Sequence, residues 1–346
     1  MGVLAGGCRH RLVERAPPDG ARRWVEVFAG DDRLAILCID DDARGPAFGG
    51  IRTRRYPSLA EAGADVRRLA RAMTRKCRLA RLPAGGAKMV VPWTRAHDRL
   101  GRREVFDRIG RAVEALGGRY VCGPDVGTRE EDLDVVRSIT RHVNPAGNDP
   151  GRATALGVRA AMDAAVEQTL RRPGAAACRV AVEGAGAVGG RLARDLLADG
   201  AHVLVADLDE RRLRAMAEAG AQIVSCEAIR TEPADVFAPC ALGGLLTAAL
   251  ASRLRCRIVC GSANNQLAAP EVAAALARRG VVYVPDEVAS AGAVIEGVYT
   301  VLDPGVDRAR VAERIRAIGE TTREVLARAR RAGSTVEAVE DLLRAR

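Results

Sequence analysis

In the stretch MTRKCRLARLPAGGAKMVV, Lys76 and Lys88 stand twelve residues apart in a chain where arginine outnumbers lysine by far. An arginine keeps its proton under nearly all conditions, whereas a lysine that is desolvated and set beside another cation can lose it. The pair therefore suits a site that needs one cationic clamp for a carboxylate and one neutral amine as a base. Lys88 follows a Gly-Gly at the start of an apolar strand, a place of close ligand approach. An acid is offered by RYVCGPDVGTREEDLDVV, in which Asp125 ends a strand ahead of a helix. Thr128-x-x-Glu131 already reads as the capping box of that helix, which leaves Asp125 for proton transfer. In CGSANNQL, Asn264 and Asn265 follow a strand and read either as turn formers or as amide donors to a ligand.

Several elements must position these groups. SLAEAGADVRRLARAMTRKCRLA reads as a helix with Leu59, Ala62, Val66, Leu69, Met73 and Cys77 on one face. Arg67, Arg68, Arg71, Arg75 and Arg78 fall on the opposite face, while Lys76 sits at the edge of the apolar face and points inward. RWVEVFAG, RLAILCID, AKMVVPW and RYVCG read as strands. From Arg179 short apolar strands alternate with helices, the mark of βαβ units and a parallel sheet.

The clearest motif is RVAVEGAGAVGGRLARDLLADGAHVLVADLDE. A strand runs into Gly184-x-Gly186-x-x-Gly189, a helix follows, and a second strand ends at Asp207. Gly184 permits the tight turn, Gly186 lets a pyrophosphate approach the backbone, and Gly189 lets helix pack on strand. Phosphates then lie at the helix N-terminus, beside Ala187 and Val188, and Asp207 is placed to bind a ribose 2′-hydroxyl. A carboxylate there favours NAD, although Arg211 and Arg212 follow closely. A nicotinamide enzyme takes hydride from a carbon bearing OH or NH₂, so it needs both a clamp and a base.

At 346 residues the chain has room for two domains. Residues 1–150 read as one mixed α/β domain, 151–305 as a Rossmann domain, and 306–346 as C-terminal helices. NPAGNDPG, from Asn144 to Gly151, reads as the hinge. The net charge of +10 is spread over helices and mixed with acids, and aromatics are 3%, so a nucleic-acid partner is not expected. No apolar run is long enough to span a membrane. MGVLAGGCRHRL is too short in apolar residues for a secretory signal and lacks Ser or Thr at the sixth position for myristoylation. Nine cysteines without metal spacing read as reduced thiols of a cytoplasmic protein, with no metal site.

GPAFGGIRTRRYPS, MTRK…PAGGAKMVV, GPDVGT, VEGAGAVG, FAPCALGG, GSANNQL and VPDEVASAGAVI occur in an order that resembles the glutamate/leucine/phenylalanine/valine dehydrogenases, most closely the leucine and phenylalanine enzymes. The resemblance runs from about Trp24 to about Ile295. It implies an α/β fold of two domains, 1–150 for substrate binding and dimerisation and 151–305 for NAD, with the active site in the cleft between them and 306–346 packing back toward it, and reversible oxidative deamination of an L-amino acid to a 2-oxo acid and ammonia. It also implies assignments for single residues. Lys76 would pair with the substrate carboxylate, Lys88 would be the general base, Asp125 would assist proton transfer, and Asn265 would contact the substrate. Gly49 and Gly50 would let the substrate backbone pass. Thr154, Cys240, Ala241 and Asn264 would lie along the cofactor. Phe48, Gly123, Val294 and Gly297 would line the side-chain pocket.

Gly123 and Gly297 enlarge that pocket and Phe48 can stack on a ring, so a bulky, phenylalanine-like side chain is the first expectation. A branched aliphatic substrate is the alternative, and a non-catalytic NAD-binding regulator is the alternative of another class. Ser290 and Glu296 depart from the family's Asn. The first bears on placement of the nicotinamide, and the second adds a negative charge beside the pocket. The family resemblance implies a homodimer or larger assembly, although the short C-terminus speaks against the largest ones.

Overall fold

The computed structural model describes residues 3–4, 10–17 and 20–346; Gly2 and most of the opening stretch read above for targeting signals lie outside them. Two units are distinct. One comprises the described residues up to Asn148 together with Gly297–Val306, and the other Asp149–Glu296 with Asp307–Arg346.

The first unit is built on a seven-stranded sheet. Its strands are β1 (Val3–Leu4), β2 (His10–Arg15), β3 (Arg23–Ala29), β4 (Asp32–Ile39), β5 (Ala47–Arg54), β6 (Gly85–Pro92) and β7 (Tyr120–Gly123). They lie in the order β1-β2-β3-β4-β6-β5-β7. Pairing is antiparallel up to β6 and parallel from β6 through β5 to β7. Alternate residues point to opposite faces, and both faces are covered. On one, Ile36, Cys38 and Val90 pack with Ala62, Val66 and Ala70 of the helix Leu59–Leu79. On the other, Leu37, Ile51 and Met89 pack with Phe106, Ile109 and Leu133 of the helices Arg102–Ala115 and Glu130–Arg137. Covering on both sides explains why every residue of β6 is buried, Lys88 included. The long helix starts at a Ser58 cap, whose side chain accepts the Glu61 N–H. Its first residue, Leu59, is exposed, so the buried stripe begins at Ala62 rather than at Leu59.

The second unit holds six parallel strands: β8 (Arg179–Glu183), β9 (His202–Ala206), β10 (Gln222–Ile223), β11 (Val236–Pro239), β12 (Ile258–Val259) and β13 (Val282–Tyr283). Their order is β10-β9-β8-β11-β12-β13, that is 3-2-1-4-5-6 counted within the unit, the doubly wound order of dinucleotide-binding sheets. The Asn144–Gly151 run contains the boundary, but its last residues already open the helix Pro150–Leu170. Asp149 accepts the Arg152 N–H there and Pro150 supplies a helix-ready φ.

The C-terminal helices Arg308–Arg316, Ile318–Ala332 and Thr335–Ala345 cluster with this second unit. Ile318 seats against Gly157, and Arg323 pairs with Glu167 at 2.7 Å. The sequence expectation keeps 306–346 as a separate segment and places 297–305 with the Rossmann strands. Instead, 297–306 cluster with the first unit. No helix among the described residues is long and apolar enough to cross a membrane. The eight described cysteines are all free thiols.

Candidate active site

The chemistry-bearing residues of the first unit sit on the sheet face that carries the helix Leu59–Leu79. Lys88 is the middle of β6, opposite Cys38 of β4. The β5–β6 register, Phe48 to Gly86 and Ile51 to Met89, sets Gly50 level with Lys88 on its other side. Gly50 in turn pairs with Gly123 of β7.

The glycines of β5 have a reason inside the protein. A Cβ at Gly49 would fall on the Ala87 carbonyl, and one at Gly50 would fall on the Pro124 carbonyl and 3.0 Å from Asp125 Cβ. Only bare backbone lets β5 lie this close to the two segments that carry Lys88 and Asp125. Gly86 acts likewise toward the long helix. A Cβ there would collide with the backbone at Met73–Thr74, two residues before Lys76. Lys76 itself is half-buried in the last turn.

Lys88 is 7% exposed, and its Nζ lies 2.7 Å from Asp125 Oδ2. Arg52 Nε reaches the same oxygen at 3.0 Å, and Arg52 Nη1 reaches Asp65 Oδ2 at 3.2 Å. Tyr56 donates its hydroxyl to that Asp65 oxygen at 2.7 Å. Burial lowers the Lys88 pKa and Arg52 lowers it further, against the opposing pull of Asp125. Burial tends to raise Asp125, but the Lys88 and Arg52 cations outweigh it and hold the carboxyl below its usual range. The reading from sequence set Lys76 beside Lys88 as the depressing cation. The cation in contact with the Lys88–Asp125 pair is Arg52, which that reading passed over although it stands in the quoted GGIRTR.

The capping-box assignment also changes. Thr128 spends its hydroxyl on the Ile51 carbonyl at 2.5 Å, and the helix Glu130–Arg137 is capped by Asp132, which accepts the Arg129 N–H at 2.7 Å. The sheet outcompetes the local pattern for Thr128. Asp125 is still not a cap, so its carboxylate remains for the two cations.

Phe48 is buried on the same strand face as Gly50, two residues earlier. A Cβ at Gly123 would make an ordinary 3.4 Å contact, so no neighbour requires glycine there. Gly297 has room for a Cβ only at a tight 3.2 Å. Val294 is half-buried in the same helix, Gly292–Leu302. Glu296 does not stand as a bare charge, because Arg308 pairs with it at 3.4 Å.

In the second unit Gly184, at φ +101°, ends β8. A Cβ on it would lie 2.8 Å from Ala241 Cβ, and one on Gly189 would press Cys240 Cβ at 2.8 Å. Gly184 is fixed by packing against Ala241, and Gly189 above all by the Gly184 carbonyl, on which its Cβ would fall. Gly186 is not, since its nearest neighbour would be an Arg212 nitrogen at 3.8 Å. Its missing side chain leaves open space at the N-terminus of the helix Gly189–Ala198, beside exposed Ala187 and half-buried Val188. A dinucleotide pyrophosphate needs that space.

Asp207 accepts the Ala185 N–H at 2.6 Å and the Asp209 N–H at 2.9 Å, with Arg212 at 3.6 Å. Burial tends to raise its pKa, but these N–H groups and Arg212 hold it low. Beside it opens a cavity of about 590 Å³ lined by Glu183, Gly184, Asp207, Arg212 and Leu242. Leu208 and Leu242, which also line it, are 90% and 76% exposed, apolar surface suited to a flat ring. The residues present thus fit a dinucleotide.

The remaining assignments are more dispersed. Thr154 is buried in the helix Pro150–Leu170, where Gly292 packs on its backbone. Asn264 and Asn265 are exposed; Asn265 has a left-handed φ of 53° and donates its N–H to Asp286 at 2.8 Å, so the turn-forming use is realised. Ser290 donates its hydroxyl to the Asp286 carbonyl at 2.7 Å.

Comparison with known proteins follows the same division. Residues 33–142 match the family model Glu/Leu/Phe/Val dehydrogenase, dimerisation domain, and residues 204–302 match Glutamate/Leucine/Phenylalanine/Valine dehydrogenase. The chain is 37% identical over 306 residues to a leucine dehydrogenase of Thermoactinomyces intermedius, covering 86% of this chain and 82% of that one. It is 38% identical over 319 residues to a valine dehydrogenase of Streptomyces coelicolor, covering 89% and 86%. Among solved structures, L-tryptophan dehydrogenase from Nostoc punctiforme matches with a TM-score of 0.82 at 31% identity, covering 94% of this chain and 95% of that one.

Proposed function

The chain belongs to the Glu/Leu/Phe/Val dehydrogenase family and is an amino-acid dehydrogenase that uses a nicotinamide cofactor, and on that premise we propose that it oxidatively deaminates an L-amino acid with a bulky aromatic side chain, using NAD. The balance is amino acid, water and NAD⁺ giving 2-oxo acid, ammonium, NADH and a proton. The observation that carries the chemistry is the buried Lys88–Asp125–Arg52 cluster.

Bound nicotinamide supplies the hydride acceptor. The chain's own residues do the rest. Lys76 holds the substrate carboxylate by charge. Asp125, kept ionised, takes a proton from the substrate ammonium so that the amine can release hydride from its carbon. Lys88, its pKa lowered by burial and Arg52, is the neutral amine that deprotonates water as it adds to the imine carbon. The protonated Lys88 then returns that proton to the nitrogen, and as the C–N bond breaks the freed amine of Lys88 takes the proton of the new hydroxyl, leaving the 2-oxo acid. Asn265 contacts the substrate, and Thr154, Asn264, Cys240 and Ala241 border the cofactor.

The missing side chains at Gly123 and Gly297 support a larger substrate side chain, as does likeness to a solved tryptophan dehydrogenase. The leucine and valine dehydrogenases among the relatives support the aliphatic alternative. Asp207, with a depressed pKa, supports NAD over NADP. The match to a dimerisation domain supports a homo-oligomer. The test is NADH formation with a panel of L-amino acids, each repeated with NADP⁺. Turnover of phenylalanine, tyrosine or tryptophan above leucine and valine supports the aromatic reading, and the reverse order overturns it.

A further inference from the structure

The second unit holds another cavity, of about 360 Å³, well away from the fingerprint. It lies at β13, the edge strand of the sheet, three strand spacings or about 14 Å from β8. Its volume is that of a small-molecule site. The walls are β13, the helix Glu271–Arg278, the end of the helix Pro150–Leu170 and the turn joining the last two helices. No residue assigned to substrate or cofactor lines it.

The lining has two characters. Buried Ala273, Val281 and Leu326 make an apolar floor, and exposed Arg257 and Arg330 stand at the mouth. No Asp or Glu lines the cavity. Among the described residues neither arginine meets a carboxylate, and Arg330 Nη2 reaches only Gln168 Oε1, at 3.2 Å. Thr335 is 8% exposed, yet its hydroxyl has no hydrogen-bond partner among the described residues. Buried polar groups are ordinarily satisfied, so an unpartnered hydroxyl in a cavity wall marks where a ligand atom would sit. Thr335 also opens the helix Thr335–Ala345. The Ser334 side chain takes the Glu337 N–H at 3.2 Å, and the N–H groups of Thr335 and Val336 come earlier in that turn, where a helix has no acceptor of its own and favours negative charge. Cations and donors thus surround an apolar floor with no opposing acid. We propose that this cavity binds a small organic anion, its carboxylate or phosphate head held by Arg257, Arg330 and Thr335 and its compact apolar body resting on Ala273, Val281 and Leu326.

The test is isothermal titration calorimetry on the full-length protein saturated with NADH, so that the fingerprint is occupied. The probes are benzoate, phenyl phosphate and the neutral benzamide. At least one of the two anions is expected to bind at one site per chain, about tenfold or more tighter than benzamide. The tighter of the two tells a carboxylate head from a phosphate head. Both arginines are exposed, so the double variant Arg257→Gln/Arg330→Gln is expected to fold and to keep its turnover while binding the anion about tenfold or more weakly. Thr335→Val is expected to weaken binding in the same direction. Lys76→Met, which removes the substrate clamp, is expected to leave the affinity unchanged. No saturable binding of either anion, equal binding of benzamide, an affinity unaltered in the double arginine variant, or one lost in Lys76→Met overturns the proposal.

Discussion

Lys88 Nζ and Arg52 Nε approach the same oxygen of Asp125, at 2.7 and 3.0 Å. One carboxylate thus serves two cations of different character. The guanidinium keeps its proton, while the amine is the group whose proton can leave.

Replacing Lys88 by Ala is expected to lower kcat by at least about a hundredfold, the usual scale for loss of a general base. NADH binding, followed by fluorescence titration, is expected to be unchanged, because the fingerprint lies in the other unit. Parallel loss of NADH affinity would contradict this separation.

Arg52→Met removes the cation that helps depress Lys88. With Arg52 gone the Lys88 pKa rises, so a higher pH is needed to make the amine neutral. The acid limb of the kcat/KM profile for deamination is therefore expected to move to higher pH. A profile that stays in place while activity falls would make Arg52 a purely structural residue.

Gly50→Ala and Gly123→Ala are expected to behave oppositely. The first drives a methyl group into the Pro124 carbonyl and is expected to destabilise the fold by about 1–3 kcal/mol, seen as a lower Tm. The second meets an ordinary contact, keeps Tm nearly constant, and shifts preference toward smaller side chains by about tenfold in kcat/KM.

Asp207→Ser withdraws a carboxylate that ties two backbone N–H groups and faces Arg212. The ratio of kcat/KM for NAD over NADP is expected to fall by about tenfold or more as repulsion of a 2′-phosphate disappears. An unchanged ratio would place cofactor choice elsewhere.

What could be read from the sequence was what is local. β3, β4, β6 and β7 show runs of apolar residues bounded by turns, and the fingerprint is contiguous from strand to acid. The two lysines stood out for a reason stronger than their spacing, since they are the only lysines among 54 basic residues. β5 was not recognised as a strand because AFGGIRTR carries glycines and arginines whose use is dictated by neighbours. Arg52 meets partners 13 and 73 residues away, a relationship no periodicity reveals. The Thr128 cap failed because a sheet carbonyl offered its hydroxyl a better partner.

The close approach of β5 to its neighbours divides the glycines around Lys88 into a floor that is closed to change and walls that are open to it. Gly49 and Gly50 are locked by the carbonyls of Ala87 and Pro124, so variation in which amino acid is accepted cannot proceed through them. Gly123 and Gly297 carry no such veto from the backbone. Divergence of substrate choice, or its redesign at the bench, is thereby channelled into positions such as these two, which leave the catalytic cluster untouched.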